Sequence, residues 1–127
     1  MRPTVLIVDD TELLRFLLRE TLAELSLGLV AEAGTPEEAV RLAEALAPRL
    51  VVVDWTATVD PAALLGVLRR SCRDAVVAAT VPTGDRRLAA AARRAGADAL
   101  LERPYTAART LPRLKSLLAP AAAPLSL

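Results

Sequence analysis

Five short apolar runs alternate with five longer stretches in which leucine and alanine recur at helical spacing, and this alternation limits the folds open to the chain. The runs lie at residues 4–8, 29–33, 50–54, 75–79 and 99–101. Residues 50–53 are leucine followed by three valines with no polar alternation, the pattern of a strand covered on both faces. A repeated strand-then-helix unit pairs its strands in parallel through right-handed crossovers, so an α/β sheet with helices on both sides is predicted. Its core must be aliphatic, because 54% of the residues are hydrophobic while Phe16, Trp55 and Tyr105 are the only aromatics.

Local signals mark the helix ends. Leu13, Leu14, Leu17, Leu18, Leu22 and Leu25 share a face of the first helix, with Arg15, Arg19, Glu20 and Glu24 mostly elsewhere. Thr35 and Pro36 open the second, Glu38 is placed to complete a capping box, and Pro48 ends it. Asp60 and Pro61 open the third, which runs to about Cys72. The fourth covers residues 85–95 with Gly96 as a left-handed cap, and the fifth is predicted over 106–119. Pro112 conflicts with that last span, since it removes the bond to the Ala108 carbonyl at about 3 kcal/mol, and a start at Thr110 avoids the loss. One domain over residues 1–119 is expected, with 120–127, uncharged and aperiodic, as a flexible tail.

Charge and cysteine usage exclude several functions. Sixteen basic against fifteen acidic side chains leave +1, too little to attract nucleic acid or a membrane as a global field. Cys72 is the single cysteine and histidine is absent, which removes an internal disulfide, a zinc cluster and His-dependent catalysis. The first apolar run, Val5–Val8, is too short for a signal peptide or a membrane span, so a cytoplasmic location is expected.

Sheets of this kind bind ligands beyond the carboxyl ends of their strands. There the chain places Asp9 and Asp10 after the first strand, Asp54 at the end of the third, Thr80 after the fourth and Arg103 after the fifth. If the first and third strands are neighbours, three carboxylates crowd together, and each raises the others' pKa unless a cation intervenes. Oxygen donors favour Mg²⁺, which uses one or two carboxylates and keeps positions for phosphate oxygens. Carboxylates accept phosphoryl groups, so Asp54 is the predicted nucleophile. Plainer roles exist for each: Asp10 as a helix cap, Asp54 as a turn residue, Thr80 as a backbone-bonded hydroxyl, Arg103 as a solvated charge. Convergence at one sheet edge favours a site.

Val8-Asp9-Asp10, Val53-Asp54, Ala79-Thr80 and the segment from Gly96-Ala97-Asp98 to Arg103-Pro104-Tyr105, taken in order, resemble the response-regulator receiver domain over about residues 3–119. The resemblance implies a flavodoxin-like, three-layer fold, with a five-stranded parallel sheet in the order 2-1-3-4-5 flanked by five helices. It implies that Asp9 and Asp10 hold Mg²⁺ with Asp54, that the Thr56 backbone carbonyl completes the metal site, and that Asp54 takes a phosphoryl group from a histidine kinase or phosphotransfer protein. Thr80 is then the hydroxyl that moves to the new phosphate, with Arg103 beside it. The face made by the fourth helix, fifth strand and fifth helix binds an output protein. Such a protein is a stand-alone switch in two-component signalling rather than a conventional enzyme.

Three features depart from the resemblance. Arg103 replaces lysine, and its planar, permanently charged guanidinium either grips a phosphate bidentately or pairs with unmodified Asp54 and holds the site in one state. The loop from Trp55 to Pro61 lacks the usual Met-Pro and glycine and is shorter, and Leu100 stands where an aromatic commonly follows the hydroxyl's movement. A scaffold of the same fold that binds its partner without phosphorylation is the alternative function. Arg86, Arg87, Arg93 and Arg94 repeat at spacing seven as one basic stripe, expected to be a solvated face, with an acidic partner as the other reading. No loop is rich enough in glycine or hydroxyls to cradle a flavodoxin-type cofactor.

Overall fold

The strands are β1 Val5–Val8, β2 Val30–Ala33, β3 Leu50–Asp54, β4 Val76–Pro82 and β5 Ala99–Arg103, and they form one parallel sheet in the order β2-β1-β3-β4-β5. The helices are α1 Glu12–Leu22, α2 Pro36–Leu46, α3 Pro61–Ser71, α4 Arg86–Arg94 and α5 Ala107–Leu118. This computed structural model describes residues 2–56 and 60–119, so the tail at 120–127 and the middle of the loop after Asp54 lie outside the described residues. Fold class and strand order agree with the expectation.

Side chains alternate across the central strands. Leu6, Val8, Val51, Val53, Val77 and Ala79 pack with Ala39 and Ala43 of α2, Leu64, Leu65 and Leu68 of α3, and Ala92 of α4. Val5, Ile7, Leu50, Val52 and Ala78 pack with Leu18 and Leu22 of α1 and Leu114 of α5. The sheet is thus covered on both sides, which is why β1 and β3 carry no polar alternation. Each fully buried leucine contributes about 1.5–3 kcal/mol, and together they fix the layer on which the polar edge stands.

The predicted caps at Thr35 and Asp60 close α2 and α3, and Asp85, expected as the first residue of the fourth helix, caps α4. Thr35 Oγ1 accepts from the Glu38 amide at 3.2 Å, Asp60 Oδ1 from Ala63 at 3.1 Å and Asp85 Oδ1 from Leu88 at 3.1 Å. Gly96 takes φ +103° beyond α4, a conformation that favours glycine.

Three expectations are corrected. First, α5 runs through Pro112 and does not begin at Thr110. Thr106 Oγ1 caps it by accepting from the Arg109 amide at 3.3 Å, while buried Thr110 accepts from the Thr106 amide at 3.0 Å. That local network and the burial of Leu114 outweigh the one bond that the proline forfeits. Second, α1 ends at Leu22 and turns Leu18 and Leu22 onto the sheet, leaving Leu13 61% and Leu17 42% exposed, because Leu17 sits about 100° around the helix from Leu18. Third, β4 reaches Pro82 and β5 reaches Arg103, so Thr80 and Arg103 belong to the strands rather than following them. β-Branched Thr80 and Val81 extend the ladder naturally. Among the described residues no helix is long and apolar enough to cross a membrane.

Candidate functional site

Strand register assembles the site. Val8 pairs with Val53, so the next residues, Asp9 and Asp54, emerge side by side at the carboxyl edge of the sheet. Asp54 pairs in turn with Thr80, and Pro82 with Arg103. Asp9, Asp54 and Thr80 are all buried, at 3%, 2% and 1% exposure. The Arg103 carbonyl is fixed by the Thr83 amide at 2.9 Å and the Thr83 hydroxyl at 2.7 Å, which steadies the end of β5.

Donors converge on one oxygen of Asp54. Its Oδ1 accepts from the Thr56 amide at 3.0 Å, the Thr56 hydroxyl at 2.8 Å and, at the limit of hydrogen bonding, the Thr80 hydroxyl at 3.5 Å. Arg103 Nη2 stands 3.3 Å from the same oxygen and donates to Thr56 Oγ1 at 2.9 Å. Thr56 therefore bridges the ion pair, accepting from the guanidinium and donating to the carboxylate. Arg103 Nε is buried without a partner among the described residues. A buried donor left unmade costs about 1–3 kcal/mol, so this nitrogen is poised for an acceptor.

Asp9 is oriented by the loop that follows it. Its Oδ1 accepts from the Thr11 amide at 2.9 Å, and Arg15 Nη1 donates to its backbone carbonyl at 2.6 Å. Burial pushes the Asp9 carboxyl from 3.8 up to about 6; the Thr11 amide opposes this, the Asp54 carboxylate adds to it and Arg103 lessens it. Asp9 and Asp54 each accept from the amide two residues on, so two Asx turns built on Asp9-Asp10-Thr11 and Asp54-Trp55-Thr56 shape the pocket.

Asp10 is placed differently from expectation. Its side chain is exposed and its Oδ1 accepts from the Thr11 hydroxyl at 3.1 Å, while Thr11 occupies the cap position of α1. Among the described residues no three acidic, histidine or cysteine side chains are grouped to hold a metal ion. The expected crowd of three carboxylates is thus corrected to a buried pair with Asp10 at the rim, because successive side chains of an extended segment leave on opposite sides. That pair still fits a hard dication. Its donors are all oxygen, and Mg²⁺ needs only one or two carboxylates.

Tyr105 joins the site from the other side. Its ring packs on the α1 and α5 side of the core and its hydroxyl meets the Thr80 side chain. Burial pushes this phenol up to about 12, opposed by Thr80 and assisted by the charge of Asp9. Sequence reasoning missed the bridging hydroxyl of Thr56, the orienting Thr11 and Arg15, and Tyr105. The repeated Asp-x-Thr spacing was the one signal that pointed to the first two.

Residues 5–115 match the response regulator receiver domain family. Over 115 residues the chain is 35% identical to the transcriptional regulatory protein PdtaR of Mycobacterium tuberculosis, an alignment covering 87% of this chain and 54% of PdtaR. NtrX from Brucella abortus superposes with a TM-score of 0.82 at 26% identity, over 93% of this chain and 27% of NtrX. The REC domain of AraT, a response regulator from Geobacillus stearothermophilus, gives 0.80 at 26% identity, over 92% and 93% of the two chains. The chain thus spans about half the length of PdtaR and about a quarter of NtrX. With sheet order, the buried aspartate pair and the match over residues 5–115 in agreement, the chain belongs to the response-regulator receiver domain family of two-component signalling.

Proposed function

We propose that Asp54 accepts a phosphoryl group from the phosphohistidine of a kinase or phosphotransfer protein, and that the modified domain switches its binding to an output protein. One observation supports this above all: the Asp54 carboxylate is buried at the ligand-binding edge of the sheet, with its Oδ1 bound by Thr56 and Arg103 and with Asp9 beside it. Convergence of donors on Oδ1 leaves Oδ2 to attack. The new bond joins Oδ2 to phosphorus, the P–N bond of the donor breaks, and the imidazole nitrogen keeps the electron pair. Arg103 Nε and Nη2 lie on one edge of the guanidinium, so a phosphoryl group can take both and satisfy the orphaned Nε. The Thr80 hydroxyl then turns from Asp54 and Tyr105 toward the new charge.

Receiver domains generally bind Mg²⁺ at their acidic pocket. In this chain Asp9 and Asp54, with the Thr56 carbonyl and with Asp10 at the rim, would hold Mg²⁺, which when bound neutralises charge on the transferring group. The reading makes the protein a cytoplasmic switch rather than an enzyme that turns over a free substrate. Its test is incubation with Mg²⁺ and phosphoramidate followed by intact-mass measurement. An adduct of one phosphoryl group is expected in the wild type and none in Asp54→Ala. No adduct, or one that persists in the variant, overturns it.

The 3.3 Å contact of Arg103 with Asp54 favours a second reading, in which the guanidinium permanently occupies the site and the domain is a phosphorylation-independent scaffold. Partner affinity that changes on phosphorylation excludes that reading; affinity indifferent to Mg²⁺ and phosphoryl donors supports it.

A further inference from the structure

Asp9 is held at three points. Its amide donates to the Ala33 carbonyl at 3.0 Å, its Oδ1 accepts from the Thr11 amide at 2.9 Å, and its carbonyl accepts from Arg15 Nη1 at 2.6 Å. The last paired residue of β1 is Val8, opposite Ala33 and Val53, so the Asp9 carbonyl lies past the ladder and takes a guanidinium in place of a strand partner. A carbonyl and the nitrogen of the next residue share one peptide plane, so fixing the Asp9 carbonyl fixes the direction in which Asp10 leaves. Arg15 thus bears on both aspartates.

The guanidinium is itself held from behind. Arg15 Nε donates to Glu32 Oε1 at 3.2 Å, and Arg19 Nη1 donates to Glu32 Oε2, so both oxygens of that carboxylate are engaged. Glu32 stands on β2 in register with Ile7, two residues before Asp9. Arg15 is 18% exposed, whereas Arg19, at 46%, meets Glu32 and the Phe16 ring from the solvent side. An ion pair alone contributes little at a surface, and it leaves the reach of Arg15 to the Asp9 carbonyl unaccounted for.

Gly34 is an independent sign that this reach matters. Positive φ among the glycines belongs to Gly84 and Gly96, so the backbone at Gly34 does not itself call for glycine. A Cβ there would stand 3.3 Å from Arg15 Nη1, closer than ordinary van der Waals contact. The bare Cα leaves room for the guanidinium to reach the end of β1.

We infer that Arg15, backed by Glu32 and given room by Gly34, is a positioning residue for the divalent cation of the acidic pocket, holding the Asp9-Asp10 segment in the geometry that receives Mg²⁺. The inference rests on the reading in which this pocket takes Mg²⁺. Its sign separates it from plain electrostatics. A cation this close to the pocket repels Mg²⁺, so loss of its charge alone would tighten metal binding, whereas loss of its positioning weakens it.

The test is an NMR titration of the whole isotope-labelled chain with MgCl₂, following the Thr11 and Thr56 amides, which donate to Asp9 and Asp54. Arg15→Ala should bind Mg²⁺ about tenfold more weakly than the wild type, and Gly34→Ala, which keeps every charge, about threefold more weakly. Arg19→Ala removes the same charge from Glu32 but leaves the Asp9 carbonyl held, and should stay within about twofold. Equal or tighter binding by Arg15→Ala, or an equal loss in Arg19→Ala, overturns the inference and leaves the Mg²⁺ reading standing. Should Arg15→Ala not fold, Gly34→Ala decides, and wild-type affinity in that variant overturns the inference. Thr11 and Thr56 amides that do not respond to Mg²⁺ in the wild type overturn the reading of the pocket and the inference with it.

Discussion

Arg103 Nη2 stands 3.3 Å from Asp54 Oδ1 and 2.9 Å from Thr56 Oγ1, so one guanidinium is the counter-ion of a carboxylate that is 2% exposed. Removing one member of a buried pair leaves the other charge uncompensated, which costs about 3 kcal/mol. Arg103→Ala should therefore lose about that much unfolding free energy in urea at neutral pH with EDTA present. Adding Asp54→Asn should restore most of it, since the orphaned charge is then gone. A loss in Arg103→Ala that Asp54→Asn fails to rescue would show that Arg103 acts through packing instead.

Asp9 links stability to pH. Its carboxyl is pushed from 3.8 up to about 6, so the folded protein binds this proton more tightly than the unfolded chain does. The stability so gained is whole below 3.8 and is lost as pH rises through about 6, an amount near 3 kcal/mol. Without a divalent cation, Asp9→Asn should gain on the wild type by that margin between pH 4 and pH 7 in urea titrations. Parallel curves for the two proteins would contradict the assignment.

Thr56 bridges Arg103 and Asp54 through its hydroxyl. Thr56→Val keeps the shape and removes the bridge, and should slow adduct formation from phosphoramidate by about fivefold, the equivalent of one hydrogen bond of about 1 kcal/mol. Thr56→Ser should retain the wild-type rate. Equal rates in Val and Ser variants would mean that the Thr56 amide alone orients Asp54.

Tyr105 is the single tyrosine, so its ionisation is directly visible in the ultraviolet. With its hydroxyl against Thr80 it should titrate near 12 in the folded protein and near its ordinary value of 10 in denaturant. A folded-state midpoint at 10 would place the phenol in solvent rather than in the site.

Strands covered on both faces were legible because β1 and β3 admit no polar residue before Asp9 and Asp54, and the caps at Thr35 and Asp60 because they are local chemistry. The path of α5 through Pro112 was not, since it depends on Thr110 and Leu114 being buried by distant partners. Asp9 and Asp54 could be placed from strand adjacency, whereas the outward turn of Asp10 is set by where β1 stops. Arg103 was recognised with both its possible partners in view. That Thr56 mediates the contact needs the hydroxyl's position, which no spacing rule supplies.

Asp54 is the proposed acceptor. An aspartyl phosphate is reduced by borohydride to homoserine, so treatment of the phosphoramidate-reacted protein followed by peptide sequencing locates the acceptor by residue. Homoserine at position 54, dependent on Mg²⁺, is the predicted result. Homoserine at position 9 or 10, or at none, would contradict it.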